Sequence, residues 1–527
     1  MAIHLLNPSA IQSALTKAVL AFGFVALSLV GWRMIHCLLW HPLRHFPGPW
    51  YAACSSLPLG LASITSKEPD WLMYLVRKYG KDGRPIRITP TLLFFYKASA
   101  LHAIYWDPKC NTKSSTYGHD ALGPRSIFQV TDSREHKELR KALGGAPWGV
   151  GLIKRNWESR VDNLIRTFLS NQQKRIDTGE PVILSDKVAE FAADVLTTVV
   201  FTTPWGFLAN DRDERGLIRA WREGLALFGL SQRWRFLREV ILPSPLGPHV
   251  LPRESDETGN GWLVTQANRE IAGRERRMAT GEPRPDPPDM LQLTLEAAVG
   301  GGGGADEAHG AARPLTAAQR TAHMTLLIQA GVDTTGSGLG ATLRLLLTHP
   351  DALRRVRAEI AAADAEGLLS PVVQYDEARA HLPYTSACIR ESLRLNPPIP
   401  NILPRLAPPG GISIDGVFIP AGTEMTSQAY VVQRDADVFG DDGHEFRPER
   451  WLGPEGQVAR MDAAMYVFGM GARVCLGKEI ALMEMHKLVP EIIRRLDLEV
   501  LDKGKWVVTG GIASHAPGLK VLIRARK

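Results

Sequence analysis

A single cysteine inside a glycine-rich loop constrains this chain more tightly than any other feature of its sequence. Cys475 lies in the segment FGMGARVCLG, which runs from Phe468 to Gly477. Apolar residues then recur at helical spacing from Lys478 to Leu496, so the loop leads directly into a predicted helix. The positive end of a helix dipole stabilises a thiolate, and glycines let backbone N–H groups turn toward the sulfur. Cys475 is therefore a candidate metal ligand rather than an ordinary small core residue.

The other cysteines indicate what the chain is not. The five cysteines are Cys37, Cys54, Cys110, Cys388 and Cys475. Their number is odd, they are widely separated, and none forms a CxxC pair. This pattern argues against a disulfide framework and a zinc site, and it favours a reducing compartment.

Composition predicts a folded protein with a large core. The chain has 527 residues, of which 45% are hydrophobic and 22% are charged, so disordered and fibrous classes are excluded. The net charge of +7 is spread along the chain, without a Lys/Arg run interleaved with aromatic residues. We therefore do not expect nucleic-acid binding, and an acidic protein partner or a membrane surface fits the charge better.

Residues 1–40 are predicted to form a membrane anchor. Ala18 to Trp32 carries no charge, and the apolar stretch counted through Trp40 has 23 residues, whereas about 20 suffice to span a bilayer. A cleaved signal peptide is the alternative, but no small-residue cleavage site directly follows the apolar core. Arg33 and Arg44 lie at or beyond the far end of the stretch, which favours a cytosolic main domain.

The segment after the anchor predicts a hinge and then one large body. Three prolines between His41 and Trp50 forbid a continuing helix and impose a stiff connection over residues 41–50. Residues 51–527 are expected to form a single domain. Its fold class is predicted to be mainly α with small β-sheets.

Smaller patterns locate the parts of this body. They predict a helix at Trp71 to Tyr79, a small sheet around Pro85 to Tyr96, and mostly helices from Ser133 onward. Gly281 to Asp289 and the five glycines Gly300 to Gly304 are predicted loops. No internal repeat is evident, which argues against solenoids and propellers.

A long helix is predicted with a glycine cluster in its middle. Thr316 and Gln319 fit a capping box, and His349-Pro350 ends a helix running from about Ala317 to Thr348. Each interior glycine costs about 1 kcal/mol relative to alanine. The cluster within residues 330–338 either lets the backbone bulge, with hydroxyls bonding to freed carbonyls, or provides small residues for close helix packing. Close packing is favoured for residues 336–340, and both interpretations stay open for Asp333 and Thr334.

Four segments together resemble one known family. The Cys475 loop matches the haem-binding pattern Phe-x-x-Gly-x-Arg-x-Cys-x-Gly of the cytochrome P-450 superfamily. Ala330 to Thr335 matches its oxygen-activating segment, and Glu391 to Arg394 matches its Glu-x-x-Arg segment. Phe446 to Trp451 matches the segment that supplies a second arginine to that pair. With its anchor and proline hinge, the whole chain resembles fungal microsomal members.

The resemblance implies the cytochrome P-450 fold and roles for individual residues. Cys475 would ligate the iron of haem b, with Phe468 and Gly477 in the same loop, and Asp333 and Thr334 would deliver protons. The residues expected to bind the haem propionates are His136, Arg140, Arg405 and Arg473. His136 stands where the family often has a tryptophan. Glu391, Arg394 and Arg450 would be structural, since two guanidinium groups can share one carboxylate and lock the cysteine loop.

The resemblance also implies an activity. It implies a haem-thiolate monooxygenase that inserts one oxygen atom from O2 into a lipophilic organic substrate, with electrons from an NADPH-dependent flavoprotein reductase. The expected location is the endoplasmic reticulum membrane, with the catalytic domain in the cytosol and a role in fungal secondary metabolism. Two alternatives stay open: a family member that rearranges or dehydrates its substrate without oxygenation, and a membrane-tethered haem protein for electron transfer or sensing.

The resemblance locates two surfaces as well. The reductase is expected to dock on Arg134, Lys137, Lys141 and Lys478. The substrate pocket is expected to be lined from residues 116–130, 326–334, 400–403 and 511–514. Its apolar members are Ile127, Phe128, Leu326, Leu327, Ile402, Leu403 and Ile512.

Overall fold

The computed structural model describes residues 8–117, 125–251, 253, 255–256, 259–299, 312–514 and 518–526. Helices make up most of it. Its α-helices are α1 (Pro8–Ile35), α2 (Trp50–Cys54), α3 (Leu57–Ile64), α4 (Glu68–Tyr79), α5 (Ala100–Tyr105), α6 (Ser133–Leu143), α7 (Val150–Thr178), α8 (Leu184–Phe201), α9 (Leu217–Arg233), α10 (Gly247–Val250), α11 (Gly259–Ala279), α12 (Met290–Glu296), α13 (Ala317–Thr348), α14 (Pro350–Ala365), α15 (Tyr375–His381), α16 (Pro383–Leu395), α17 (Ala429–Val432), α18 (Ala436–Phe439), α19 (Glu455–Ala463) and α20 (Lys478–Arg495).

The strands are short and form small sheets. They are β1 (Ile86–Arg87), β2 (Leu92–Phe94), β3 (Val182–Ile183), β4 (Ala298–Val299), β5 (Arg313–Pro314), β6 (Arg405–Leu406), β7 (Ile412–Ile414), β8 (Val417–Ile419), β9 (Glu424–Thr426), β10 (Leu496–Asp502), β11 (Val507–Thr509), β12 (Ile512–Ser514) and β13 (Lys520–Ala525). One sheet has four strands in the order β1-β2-β9-β6, and another has the order β10-β13-β3. The remaining strands pair as β11-β12, β4-β5 and β7-β8. The predicted fold class, mainly α with small sheets, is confirmed.

The amino-terminal helix ends at the predicted residue, Trp40, but begins before the predicted apolar stretch, at Pro8. Helix α1 continues as a π-helical turn at His36–Trp40, and within the described residues Thr16–Trp40 is the one helical stretch long and apolar enough to cross a bilayer. Its most apolar 18 residues are not buried against the body, whereas Cys37 near its end is buried. At His41 the backbone becomes extended, with φ −64° and ψ 139°, and a 3-10 turn follows at Pro42–His45.

Helix α13 runs through the middle of the body with the predicted bounds. The Thr316 hydroxyl accepts a hydrogen bond from Gln319 N at 3.2 Å, and Thr316 N donates to Gln319 Oε1 at 3.0 Å, which completes the capping box. The helix continues unbroken to Thr348, so the backbone has no bulge at the glycine cluster.

The glycines of α13 instead allow close contact with α8. A Cβ at Gly336 would lie 2.7 Å from Cα of Ala189, and one at Gly331 would lie 2.6 Å from Cδ1 of Leu196. The backbone of Ala189 leaves no room for a side chain at Gly336, whereas Leu196 Cδ1 is the end of a side chain that can move. The interpretation of residues 336–340 as a packing surface is therefore confirmed at Gly336.

The main core surrounds this contact. Buried apolar residues of α7, α8, α13, α16 and α20 form one continuous cluster, and the site described below lies at its margin. Helix α4 and strands β1 and β2 confirm the predicted helix and small sheet near residues 71–96. Residues 281–289 contain neither helix nor strand, as predicted, and the predicted loop at 300–304 lies outside the described residues.

Candidate functional site

The Cys475 loop depends on glycines to make its turn. Gly471 has φ +65°, and a Cβ there would lie 2.3 Å from the carbonyl oxygen of Tyr105, so only glycine fits this close approach. The amide N–H of Cys475 donates to the carbonyl of Phe468 at 2.9 Å, which closes the loop. Helix α20 then begins at Lys478, three residues after the cysteine. The predicted arrangement of loop and helix is present.

Cys475 differs from every other cysteine in its surroundings. Cys37, Cys54, Cys110 and Cys388 are buried, whereas the side chain of Cys475 is exposed on one side. The surrounding protein mass desolvates the thiol and raises its pKa. Opposing this, hydrogen bonds from backbone N–H groups of Gly477 and Lys478 and the charge of Arg140 lower it. The sulfur is thus accessible and surrounded by groups that stabilise a thiolate, which suits a metal ligand.

Five cationic or basic side chains gather near this loop. They are Lys113, His136, Arg140, Arg405 and Arg473. Desolvation, with a further effect of Arg473, lowers the pKa of His136 to about 3. Desolvation also lowers the pKa of Arg473 to about 10, and the nearby charge of Arg405 adds to this. In both His136 and Arg473, burial and neighbouring positive charges are the main causes of the lowered pKa.

Neutral groups are the hydrogen-bond partners of this cationic cluster. Arg405 Nη1 donates to the Tyr117 hydroxyl at 2.6 Å, Arg140 Nη1 donates to the Val474 carbonyl at 2.6 Å, and Arg473 Nε donates to Asn111 Oδ1 at 2.9 Å. No carboxylate lies within ion-pair distance of the cluster in the part of the chain that the structure describes. Buried positive charge without a counter-ion is costly, so the cluster is suited to a bound anion.

Lys113 is the member of the cluster that sequence reasoning missed. The backbone of Lys113 forms an isolated antiparallel β-bridge with Arg405. Its ammonium nitrogen donates to the carbonyl of Phe128 and lies 4.2 Å from the ring centroid of Tyr117. Desolvation lowers its pKa well below the usual lysine value. No sequence signal marks it, because a single lysine in a loop is ordinarily a surface residue.

Helix α13 presents one open face beside the cysteine loop. This face carries Leu326, Ala330 and Thr334, which are spaced four residues apart. Ala330 is exposed, and the other two are partly buried. Leu326 and Leu476 pack against the same apolar cluster, so this part of α13 lies alongside the loop. The Thr334 hydroxyl donates to the Ala330 carbonyl at 2.6 Å. This is the predicted bond from a hydroxyl to a helix carbonyl, although no bulge accompanies it.

Asp333 lies on a buried face of α13, away from this open face. Its carboxyl is buried, and its Oδ1 accepts a hydrogen bond from Arg222 Nε of α9 at 2.8 Å. Burial raises the pKa of the carboxyl, while the charge of Arg222 lowers it. The structure therefore does not place the Asp333 and Thr334 side chains together, although they are adjacent in sequence.

Glu391 is the centre of a buried ion network. Arg394 Nη2 and Nε each donate to the carboxylate at 2.8 Å, and Arg450 Nε donates to Oε1 at 2.9 Å. All three side chains are almost completely buried. Trp451 Nε1 adds a further hydrogen bond at 2.8 Å, which the sequence did not indicate. Both predicted arginine contacts are present.

A scan against protein-family models matches residues 72–522 to the cytochrome P450 model, here written P-450. The match covers most of the chain and includes every segment of the site just described.

The chain belongs to the cytochrome P-450 family.

Curated relatives of this P-450 are fungal. It is 30% identical over 492 residues to cytochrome P-450 monooxygenase ABA1 of Pyricularia oryzae, covering 91% of this chain and 92% of the relative. It is 30% identical to cytochrome P-450 monooxygenase cicH of Emericella nidulans, covering 88% and 90%. It is 29% identical to cytochrome P-450 monooxygenase gsfF of Penicillium aethiopicum, covering 96% and 99%. The protein is an oxidoreductase of the cytochrome P-450 monooxygenase class.

The residues present in this P-450 fit the family's haem. The accessible sulfur of Cys475, with N–H groups directed at it, suits an iron ligand. The buried cationic cluster lacks an anion that two propionates would supply. Its predicted members His136, Arg140, Arg405 and Arg473 lie together, and the structure adds Lys113.

The predicted substrate-lining residues of this P-450 divide by burial. Phe128, Leu326 and Leu403 are partly buried and remain candidates for contact with a substrate. The others pack within the body, because Ile127, Leu327, Ile402 and Ile512 are all less than 9% exposed. Residues 118–124 of the predicted lining lie outside the described residues.

Proposed function

We propose that this P-450 inserts one oxygen atom from O2 into a lipophilic organic substrate. The observation that carries the proposal is the combination of an accessible, N–H-stabilised cysteine with a buried cationic cluster that has no carboxylate partner. This combination suits haem b, held at its iron by Cys475 and at its propionates by the cluster. With haem bound, the thiolate of Cys475 would push electron density onto the iron, which favours O–O cleavage.

The chain's own residues would supply proton transfer and position. The Thr334 hydroxyl lies on the open face of α13, where it can exchange its bond to the Ala330 carbonyl for one to a reacting group. Asp333 would act from the buried side only after its carboxyl is freed from Arg222. Glu391 and its two arginines would hold the cysteine loop in place rather than touch the substrate.

Electrons would come from NADPH through a flavoprotein reductase. Arg134, Lys137 and Lys141 are exposed on α6, and His136 of the same helix belongs to the cationic cluster. Together with Lys478, these residues would form a positive patch that is complementary to an acidic surface on the reductase. Docking there would bring the reductase to a helix that contributes His136 and Arg140 to the cationic cluster.

We assign the protein to the endoplasmic reticulum membrane through residues 1–40, with residues 41–50 as hinge and 51–527 as the cytosolic catalytic domain. The apolar helix at Thr16–Trp40 supports the anchor. Its fungal relatives and the apolar residues near the site support a role in making lipophilic secondary metabolites.

The first test is the carbon monoxide difference spectrum of the dithionite-reduced protein, with Cys475→Ala beside it. A strongly red-shifted Soret band in the parent alone is expected, because a thiolate ligand produces that shift. An unshifted band in folded parent protein would contradict thiolate ligation.

The second test measures turnover of lipophilic compounds with a competent reductase. Consumption of NADPH and O2 in proportion to product is expected. Product formed without either would indicate a rearrangement or dehydration instead. Spectral competence without any turnover would favour electron transfer or sensing.

A further inference from the structure

A cavity of about 220 Å³ lies where the end of the anchor helix meets the body of the protein. Arg33 and His36 line it from the anchor, and His41 lines it from the segment that follows. The rest of the lining comes from α3, the four-stranded sheet, the end of α9 and the residues just after α9, including Arg238. Since the candidate span ends at Trp40, the cavity lies at the level of lipid headgroups in the anchored protein.

The cavity carries an excess of positive charge. Its lining arginines are Arg33, Arg233, Arg235 and Arg238. Two carboxylates outside the lining form ion pairs with these arginines: Glu68 with Arg233, and Glu239 with Arg235. Among the lining residues themselves, Glu424 carries a carboxylate.

Arg87 adds a buried cation next to this cavity. Its Nη1 donates to the carbonyl of Cys37 at 2.9 Å, and its partners in the described part of the chain are carbonyl oxygens. Five arginines therefore face only three glutamates among these residues, which leaves an excess of positive charge. The positive surroundings also act on His41, whose pKa burial and the charge of Arg87 lower to about 4.

Arg238 is the clearest sign of a missing partner. Its side chain is 5% exposed, Nη1 donates to the carbonyls of Gln232 at 2.6 Å and Ser231 at 3.3 Å, and Nη2 lies 3.5 Å from Glu239. Its Nε, although buried, has no hydrogen-bond partner. Leaving a charged donor unsatisfied is costly. Because Arg238 also lines the cavity, an anion bound there would give its guanidinium a charged partner.

We propose that this cavity binds the phosphate group of a membrane phospholipid, held between Arg33 of the anchor and Arg238 of the body. Guanidinium groups bind phosphate oxygens with paired N–H donors, which suits two arginines that line the same cavity. Glu424, whose carboxylate accepts a 2.6 Å hydrogen bond from the Thr91 hydroxyl, keeps its negative charge but is outnumbered by the arginines of the lining. The bound headgroup would fix the body against the bilayer at one orientation.

The test titrates the detergent-solubilised holoprotein with dioctanoyl phosphatidic acid, dioctanoylglycerol and inorganic phosphate, followed by tryptophan fluorescence. Phosphatidic acid is expected to bind at least about tenfold more tightly than either of the others. Arg33→Gln and Arg238→Gln should each weaken that binding about tenfold. Arg276→Gln, which removes an exposed arginine of α11 outside the cavity, should leave it unchanged.

Three results would overturn the proposal: equal binding of dioctanoylglycerol, unchanged binding in both cavity variants, or inorganic phosphate binding as tightly as the lipid. The last would assign the cavity to a soluble anion. Arg33 is exposed, so Arg33→Gln is expected to fold. It therefore tests the proposal even if Arg238→Gln does not fold. Flotation with phosphatidylcholine vesicles measures membrane binding by the anchor separately. A protein that does not float lacks a working anchor, whereas a protein that floats but does not bind phosphatidic acid lacks the proposed site.

Discussion

Arg222 of α9 holds Asp333 in the middle of α13 by an ion pair of 2.8 Å. The same guanidinium also contacts Asp186 of α8 at 2.8 Å. Burial raises the pKa of Asp333, and so does the charge of Asp186, whereas Arg222 lowers it. The Oδ2 atom of Asp333 has no hydrogen-bond partner. Arg222 therefore determines how far this buried carboxyl can ionise.

Arg222→Gln is expected to shift the pH profile of product formation upward by about one unit or more, because burial then acts on Asp333 without a compensating cation. Asp186→Asn should shift it the opposite way, since a neighbouring negative charge is lost while Arg222 remains. Asp333→Asn should lower kcat by about 100-fold or more, as expected for loss of a proton-transfer group. Identical profiles in all three variants would show that Asp333 takes no part in proton delivery.

Two glycines of α13 give a matched pair for the packing argument. A Cβ at Gly336 would lie 2.7 Å from Ala189, whereas at Gly338 the nearest atom is Met485 Sδ at 3.4 Å. Gly336→Ala should therefore lower the free energy of unfolding by about 1–3 kcal/mol through overpacking. Gly338→Ala should be neutral or raise it by up to about 1 kcal/mol, through helix propensity. Denaturant unfolding of both variants measures the difference, and equal effects would contradict the close contact of α8 with α13.

The Glu391 network predicts a large loss from a small change. Glu391→Gln would leave Arg394 and Arg450 buried without their shared carboxylate, which costs about 3–5 kcal/mol of unfolding free energy. The exposed pair of Glu499 with Arg524 is the control, and Glu499→Gln should cost less than about 1 kcal/mol. Thermal unfolding and the yield of haem-loaded protein report both changes. Similar small losses in the two variants would exclude a locking role for Glu391.

Lys113 is predicted to help hold the haem through its propionates. Lys113→Gln should speed transfer of haem to an acceptor apoprotein about 10- to 100-fold, the effect of one lost charge-assisted hydrogen bond. Lys109→Gln, which changes an exposed lysine four residues earlier, should leave the rate unchanged. Equal transfer rates for parent and Lys113→Gln would remove Lys113 from the site.

His323 predicts a pH-dependent stability. Desolvation lowers the pKa of this buried side chain on α13 to about 4, so the unfolded chain binds a proton below its ordinary value of 6.5 while the folded protein does not. The unfolding free energy should therefore fall as the pH drops from 6.5 toward 4, by up to about 1.4 kcal/mol per pH unit.

His323→Gln should reduce this slope, and urea unfolding at about pH 5 and pH 7 measures it. Met324→Leu is the packing control, because Met324 is equally buried and does not titrate. An unchanged slope in His323→Gln would show that this histidine does not titrate on unfolding.

The sequence alone determined the features that depend on neighbouring residues. The bounds of α13 follow from the Thr316 capping box and from Pro350, and the end of the amino-terminal apolar helix follows from His41-Pro42. The spacing around Cys475 likewise identified the loop and the helix after it. Such features are readable because short-range hydrogen bonds and helical periodicity act within a few residues.

Only the tertiary structure decided which of these parts meet. Lys113 joins Arg405 from almost 300 residues away in the chain, and Arg222 reaches Asp333 across a separation of 111 residues. The adjacency of Asp333 and Thr334 suggested a pair, yet one residue step rotates a side chain by about 100° around a helix and places the two on different faces. The side chain of Asp333 is buried because α9 and α8 pack over it, and no local pattern records that packing.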